Sequence, residues 1–542
     1  MLANAAPATP EGTAAINGNA AEFFIDRHVR AGSGQLTAFI DAAGTITYGA
    51  LRDATAAFAA GLARANIHRG TRIAVALLDG IAFPISFWGA LRAGVVPVAI
   101  NTMLPPAQIR AILEDCGAEA VIISAPLLPV LASMLAGLTA LHLLVIAGAD
   151  TDHTSSFTAD SKAVLGNTVG FAAFMAGDGG HQPPVTANAD ELAFLLYTSG
   201  SSGTPKGVRH VHGSLRASAE TYGKLVLGIT QGDVVFSAAK LFFAYGLGNS
   251  MTLPLSVGAT AVLSPHRATA DTVLAVIAEH RPTILFAVPT LYAKLLQSPG
   301  LGAGAGSDRL RRCISAGEAL PAAIGARWSA VTGVEILDGL GTTEMLHIFL
   351  SNRPGAVTYG STGVAVPGYD VRLIDDGGAT INGAGEGALQ VRGASMADGY
   401  WNLRAKTRQV FCGGWAATGD RFARDGEGAY RYRGRIDDMI KVSGIWVSPC
   451  EVEASLISHG AVLAAAVVCY QDAEGLTKPR AFVVVRPQVT GSPALCADLQ
   501  AYVRRQIGRW KYPRRIDIVA KLPETANGKI QRFRLRSTPR PG

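Results

Sequence analysis

The sequence predicts an α/β protein, with a large N-terminal body of mainly parallel sheets with helices, a small β subdomain, and a small α+β C-terminal domain. Three observations predict it. The chain has 542 residues, 49% of them apolar, too long for one ordinary core and too apolar for a disordered protein. Short apolar runs (RIAVALL, GVVPVAI, VVFSAA, TAVLS, TILFAVP) alternate with helical patterns such as ADTVLAVIAEH, the βαβ signature of mainly parallel sheets. From about Pro367 the texture changes. VRLIDDGGATINGAGEGALQVRG alternates as strands do and is broken by Asp-Gly and Gly-rich turns, which predicts hairpins. After Asp437 a compact unit of roughly a hundred residues remains, within the usual domain size.

Taken in order, the start (MLANAAPATPEGTAAINGNA) is rich in Ala and Gly and lacks a basic stretch followed by an apolar core. A frayed beginning and a cytoplasmic protein are expected. Residues 120–149 contain no Asp, Glu, Lys or Arg, which raises a membrane-spanning alternative. Pro126, Pro129 and Gly137 divide the stretch into AVIIS, PLLPVLASMLAGL and HLLVIAG, which read as strand, helix and strand of a buried sheet. The six cysteines (Cys116, Cys313, Cys412, Cys450, Cys469, Cys496) are scattered, with no CxxC pair, so a reduced, disulfide-free interior is expected. The formal charge is +7, and many cations lie in the tail: Arg504, Arg505, Arg509, Lys511, Arg514, Arg515, Lys521, Lys529, Arg532, Arg534 and Arg536. No zinc spacing or RNA-recognition signature accompanies them, so a polyanionic small molecule explains the excess as well as nucleic acid does.

The most informative segment is YTSGSSGTPKG, Tyr197 to Gly207, preceded by the apolar run LAFLL. A buried strand feeds a loop of small residues whose backbone N–H groups can wrap phosphate oxygens, and Lys206 adds a mobile positive charge. The GxxxxGK[ST] phosphate loop is excluded, because the fifth residue after Gly200 is Pro205 and Lys206 is followed by Gly207. His210 and His212, in HVH, suit either a metal pair or a plain turn beyond the loop.

YTSGSSGTPKG resembles the signature loop of the adenylate-forming superfamily of acyl-CoA ligases, adenylation domains and luciferases. Further similar motifs follow in the same order: SAGEALP (Ser315 to Pro321), GLGTTE (Gly339 to Glu344), TGD (Thr418 to Asp420), YRYRGRIDDMIKVSGIWVSPCEVE (Tyr430 to Glu453) and LPETANGKIQR (Leu522 to Arg532). KLFFAYGLGNS (Lys240 to Ser250) and DGLGTTEMLHIFLSNRPG (Asp338 to Gly355) narrow the resemblance to the benzoate-CoA ligase branch. It implies residues 1–20 as a disordered start, 21–434 as a large AMP-binding domain, 435–438 as a hinge and 439–542 as a small mobile C-terminal domain.

The resemblance implies ATP, Mg²⁺ and coenzyme A, with each motif given a task. Thr198, Ser199, Gly200, Ser201, Ser202, Gly203, Thr204 and Lys206 would cradle the triphosphate. Gly317, Glu318, Ala319, Asp338, Gly339 and Leu340 would form the adenine slot, with Leu340 where the superfamily often has a stacking Tyr; Gly341 and Thr342 join them. Thr343 would bond a phosphate oxygen and Glu344 would hold the metal, a hard cation that prefers carboxylate. Asp420 suits the ribose hydroxyls, assisted by Arg435. Lys529 would reach the α-phosphate and the carboxylate. Asp437 would be the pivot that withdraws Lys529 and brings up Lys441, Ser443, Gly444 and Trp446 for the thioester step. Phe243, Ala244, Tyr245, Gly246, His347 and Ile348 would line a flat slot for an aromatic acid, with Gly317 and Gly339 letting the ring lie close to backbone.

An aryl-CoA ligase is therefore expected, acting on benzoate or a substituted benzoate as monomer or homodimer, without membrane or nucleic acid. The alternatives are a hydroxybenzoate ligase, a stand-alone adenylation enzyme that loads a carrier-protein thiol, and a basic nucleic-acid-binding protein.

Overall fold

In the computed structural model, residues 18–148, 167–177, 183–199, 205–442, 445–472, 476–508, 511–523 and 530–536 are described. Among them, two large sheets build the body. The first has eight strands in the order Gly399–Tyr400, Pro205–Val211, Leu192–Ser199, Val96–Ala99, Arg72–Ala76, Ala120–Ser124, Leu143–Ala147 and Thr168–Gly170. Its central strands pair in parallel, with Val75 opposite Ile122 and Ile122 opposite Val145. The 120–149 stretch is thus strand, helix (Leu128–Leu135), strand. No described helix is long and apolar enough to cross a membrane.

The second sheet has nine strands, with Arg312–Ser315 between Ile284–Ala287 and Ile336–Gly341, and the antiparallel strand Ile348–Ser351 on the far side of the latter. One core joins the two sheets. Helix Tyr48–Arg64 shows why such elements form. Thr47 caps it by accepting from the Ala50 N–H at 3.2 Å, and Leu51, Phe58 and Leu62 recur on one buried stripe. Phe58 is fully buried, and a Cβ on Gly89 of the facing helix would come within 2.7 Å of its ring; truncating such a phenylalanine to Ala costs about 3–5 kcal/mol.

The chain is already packed at Asn19, whose amide donates to the Leu91 carbonyl at 2.7 Å and the Val185 carbonyl at 3.1 Å. Asp26 then pairs with buried Arg92. Residues 18–20, expected in the frayed start, therefore belong to the body, because a buried polar group needs partners.

The β subdomain is a five-stranded antiparallel sheet in which Tyr369–Ile374, Gly385–Gly393, Trp415–Arg424 and Tyr430–Arg435 are the long members. Beyond it, Val462–Gln471, Thr477–Val485 and Arg515–Ile518 form a small sheet against helices Pro449–Ile457 and Pro493–Ile507. Ile440, Val447, Val467, Val483, Leu499 and Val503 make its own core. The cysteines are free. Several tail cations are paired internally: Lys511 with Glu451, Arg515 with Asp517, Arg532 with Glu453 and Arg536 with Asp438. The tail is thus less of a free polyanion surface than its composition suggests.

Candidate active site

The signature segment is a hairpin. Leu192–Ser199 and Pro205–Val211 run antiparallel, with Thr198 opposite Lys206 and Ser199 opposite Pro205. Lys206 therefore sits on a strand, not in the loop; Gly200, Ser201, Ser202, Gly203 and Thr204, at the tip, lie outside the described residues. The returning strand carries Gly399–Tyr400 on its other edge, with Tyr400 opposite Val208.

Close by, the turn after strand Ile336–Gly341 is held from several directions. His210 donates through Nε2 to the Thr343 carbonyl at 2.8 Å. The Ala397 N–H donates to the Glu344 carbonyl, and the Ser395 hydroxyl to the Met345 carbonyl, both at 2.8 Å. The Tyr400 hydroxyl donates to Glu344 Oε1 at 2.7 Å. Thr342 caps the turn by accepting from the Met345 N–H. The hydroxyl of Thr343 has no protein partner among the described residues. Leu346 closes the turn at φ 63°, a left-handed conformation rare for a bulky residue and characteristic of constrained sites.

His210 is therefore neither a plain turn residue nor half of a metal pair. It is fully buried, and burial holds its imidazole down at about 4, while His212 accepts from the Ala20 N–H at 3.2 Å. Among the described residues no group of three or more His, Cys, Asp or Glu side chains could hold a metal. Glu344 offers a single carboxylate whose Oε2 accepts from no described residue. That donor set fits Mg²⁺, which takes one or two carboxylates and fills its octahedron from phosphate oxygens and water.

Asp338 and Ser315 are opposite each other on adjacent parallel strands. Burial pushes the Asp338 carboxyl well up, against the pull of the Leu320 and Gly339 N–H groups, and its Oδ1 has no hydrogen-bond partner among the described residues. Ligands bind outside the carboxyl ends of parallel strands, and a buried acceptor without a partner there asks for a donor from a ligand. Gly317 (φ 91°), Glu318 and Ala319 follow Ser315. Leu340 is packed against the core. Asp420 is buried, and Arg435 donates to its Oδ1 at 3.2 Å and to the Thr418 carbonyl at 2.9 Å. Gly419 between them sits at φ 76°, a backbone conformation that favours glycine, and a Cβ there would also crowd the Arg435 guanidinium.

Among the residues expected to line the acid slot, Phe243 precedes the short helix Ala244–Leu247. A Cβ on Gly246 would meet the Lys240 carbonyl oxygen at 2.0 Å, so only glycine fits. The Tyr245 hydroxyl points at the Ala287 and Ile314 carbonyls, 3.4 Å from each, its ring lying edge-on to Phe286. Burial raises its phenol well above the usual value, which keeps it neutral. The His347 ring lies 5.9 Å from that of Tyr245. Ser237 accepts from the Asn249 amide at 3.2 Å, and the Asn249 carbonyl accepts from His347 Nε2 at 3.0 Å. Burial holds His347 down at about 3. Gly339 differs from expectation: the space its Cβ would take is filled by Ile348, 3.0 Å away, so its smallness serves strand packing, not a flat ring.

Asp437 is exposed in the turn Ile436–Asp438, directly after strand Tyr430–Arg435. Lys441 and Trp446 are opposite each other in a two-stranded hairpin; their side chains, together with Ser443 and Gly444, lie outside the described residues, as does Lys529. The flanks of Lys529 are anchored, with the Gln531 N–H on the Pro523 carbonyl at 2.8 Å and Arg532 bidentate on Glu453 at 2.9 and 2.7 Å. Burial pushes the Cys450 thiol well up, as suits a packed side chain.

Sequence reasoning passed over Tyr400, Ser395 and Asn249. Tyr400 stands in ADGYWN, which reads as one more turn, and nothing local signals that it meets Glu344, 56 residues earlier.

Residues 25–401 match the family model of the AMP-binding enzyme, and residues 451–529 that of the AMP-binding enzyme C-terminal domain. The chain is 48% identical to a benzoate–CoA ligase of Thauera aromatica, over 96% of each chain. It is 47% identical to a 4-hydroxybenzoate–CoA/benzoate–CoA ligase of Rhodopseudomonas palustris, over 96% of this chain and 94% of that one. The crystal structure of a benzoate CoA ligase from Burkholderia xenovorans LB400 superimposes with a TM-score of 0.87 at 45% identity, covering 96% of this chain and all of that one. The chain belongs to the AMP-binding enzyme family, within its benzoate–CoA ligase branch.

Proposed function

We infer that the chain is an AMP-forming aryl-CoA ligase whose acid is benzoate or a lightly substituted benzoate. One observation carries the reading. A single strand–turn–strand, residues 336–351, carries Asp338, Glu344 and His347, which supports a reading in which one element serves adenine, phosphate and acid together.

In the first half-reaction a carboxylate oxygen bonds the α-phosphorus and the bond to the β-phosphate oxygen breaks, giving aryl-AMP and diphosphate. Two anions must meet, so the site has to screen charge and hold them in line. The free Asp338 oxygen suits the exocyclic amino group of adenine, a hydrogen-bond donor. Asp420, with Arg435 on one oxygen, suits the ribose hydroxyls. The Thr343 hydroxyl suits a phosphate oxygen. Lys529 offsets charge gathering at the α-phosphate. Mg²⁺, which Glu344 would hold, supplies further charge neutralisation when bound.

In the second half-reaction the CoA thiolate attacks the acyl carbon and AMP leaves. No protein nucleophile is required. Asp437 serves as the pivot that exchanges Lys529 for the hairpin bearing Lys441, Ser443, Gly444 and Trp446. Phe243, Ala244, Tyr245 and His347 enclose the acid. The neutral polar atoms of Tyr245 and His347 favour a second reading in which a hydroxybenzoate is preferred.

The test of the ligase reading is AMP release from benzoate, ATP and Mg²⁺ with and without CoA. Stoichiometric AMP and benzoyl-CoA, formed with no other protein present, is the expected result. AMP release only when a carrier protein is added would replace this reading with that of a carrier-loading adenylation enzyme.

A further inference from the structure

Glu344 does not reach the site as a free loop carboxylate. Its Oε1 accepts the Tyr400 hydroxyl at 2.7 Å, and Tyr400 is itself buried, its ring 5.6 Å from that of Phe411. The backbone of Tyr400 is paired to Val208 on the strand that leaves the phosphate hairpin, and the next residue, Trp401, donates its N–H to the Gly207 carbonyl at 2.7 Å. The same strand supplies His210, which donates to the Thr343 carbonyl. The Thr343–Glu344 turn is therefore held twice from this edge of the sheet, through its backbone by His210 of the returning arm and through the Glu344 carboxylate by Tyr400 of the strand paired to that arm.

Building on the reading of Glu344 as the cation's ligand, we propose that Tyr400 is a positioning residue for it: the phenol commits Oε1, fixes the side-chain rotamer and leaves Oε2 to the divalent cation of the ATP complex. A carboxylate with one oxygen occupied is left to bind a cation through the other, as a monodentate ligand.

The discriminating variant is Tyr400→Phe, which keeps the ring and its packing and removes only the hydroxyl. Outer-shell partners of metal ligands typically contribute 10–100-fold to metal affinity. Manganese can replace Mg²⁺ as a probe, its electron paramagnetic resonance signal reporting free and bound cation in the presence of ATP. The expected result is about tenfold weaker Mn²⁺ binding to the protein–ATP complex, with AMP, titrated calorimetrically without metal, keeping its affinity within about twofold. Glu344→Gln is the companion. If Glu344→Gln weakens Mn²⁺ and Tyr400→Phe does not, the positioning role is wrong while Glu344 keeps its own. If neither weakens it, Glu344 is not the ligand and the proposal falls with that reading. A Tyr400→Phe variant that loses AMP affinity as much as cation affinity has a merely structural tyrosine, which also overturns the proposal.

Discussion

On the nucleotide side, the carbonyls of Thr343, Glu344 and Met345 each meet a separate donor, from His210, Ala397 and Ser395, and the Glu344 carboxylate meets Tyr400. On the side proposed for the acid, Tyr245 and His347 are set among Phe286, Tyr222 and one another, and a polar relay, Ser237 to Asn249 to His347, orients the imidazole. The first wall is cross-linked by directional bonds, the second is mainly packed. Phosphate transfer needs fixed donors and charges, whereas an aryl ring is recognised by shape, with one or two polar atoms to orient it. The comparison teaches that the two walls should fail differently when disturbed.

Steric change should hurt the packed wall most. Gly246→Ala places a methyl against the Lys240 carbonyl, where backbone must yield. A loss of about 3 kcal/mol or more in stability is expected, read as a lowered onset of thermal unfolding and a reduced soluble yield. An unfolding onset unchanged within a degree would show that the wall is looser than its packing implies.

A smaller effect compares the walls directly, because each contains one fully buried histidine. His210 is held down at about 4 and His347 at about 3, by burial, against an unfolded value of about 6.5. The unfolded chain therefore binds more protons below pH 6.5, and stability falls as pH drops from 6.5 towards those values, by about 1.4 kcal/mol per pH unit for each histidine. Asp79, raised to about 6 by burial, acts in the opposite sense between about 3.8 and 6, where the folded protein holds the extra proton. Between pH 6.5 and 6 the histidines act without it. Between about pH 6 and 5, above both folded values, replacing either His210 or His347 with Gln should flatten the stability–pH curve by the same amount. Unequal flattening would mean that one of the two is not buried neutral.

How much of this was legible in the sequence follows the same division. The body's sheets were readable because their strands are continuous apolar runs between Gly and Pro punctuation, as at Arg72–Ala76 and Ile284–Ala287. The residues proposed to face the ligands, Asp338, Glu344 and Asp420, stand in short recognisable motifs, because nucleotide and cation chemistry admits few side chains. What holds them was not. Tyr400, Ser395 and Asn249 act over separations of 50 to 98 residues, and their local sequence carries no trace of those partners. Gly339 was misread for a related reason: a glycine beside a site looks like room for a ligand, and only the fold reveals that Ile348 fills that room.

The central claim is that nucleotide chemistry and an aryl-shaped slot share one strand–turn–strand, so the most direct measurement is acid discrimination under saturating ATP, Mg²⁺ and CoA. Values of kcat/KM for benzoate, its hydroxy, amino and fluoro derivatives, acetate and octanoate should place benzoate or a hydroxybenzoate first. Acetate and octanoate should trail by about 3 kcal/mol in transition-state binding, roughly a hundredfold, and Tyr245→Ala should narrow that gap. Octanoate or acetate turning over as efficiently as benzoate in the unaltered protein would contradict the account.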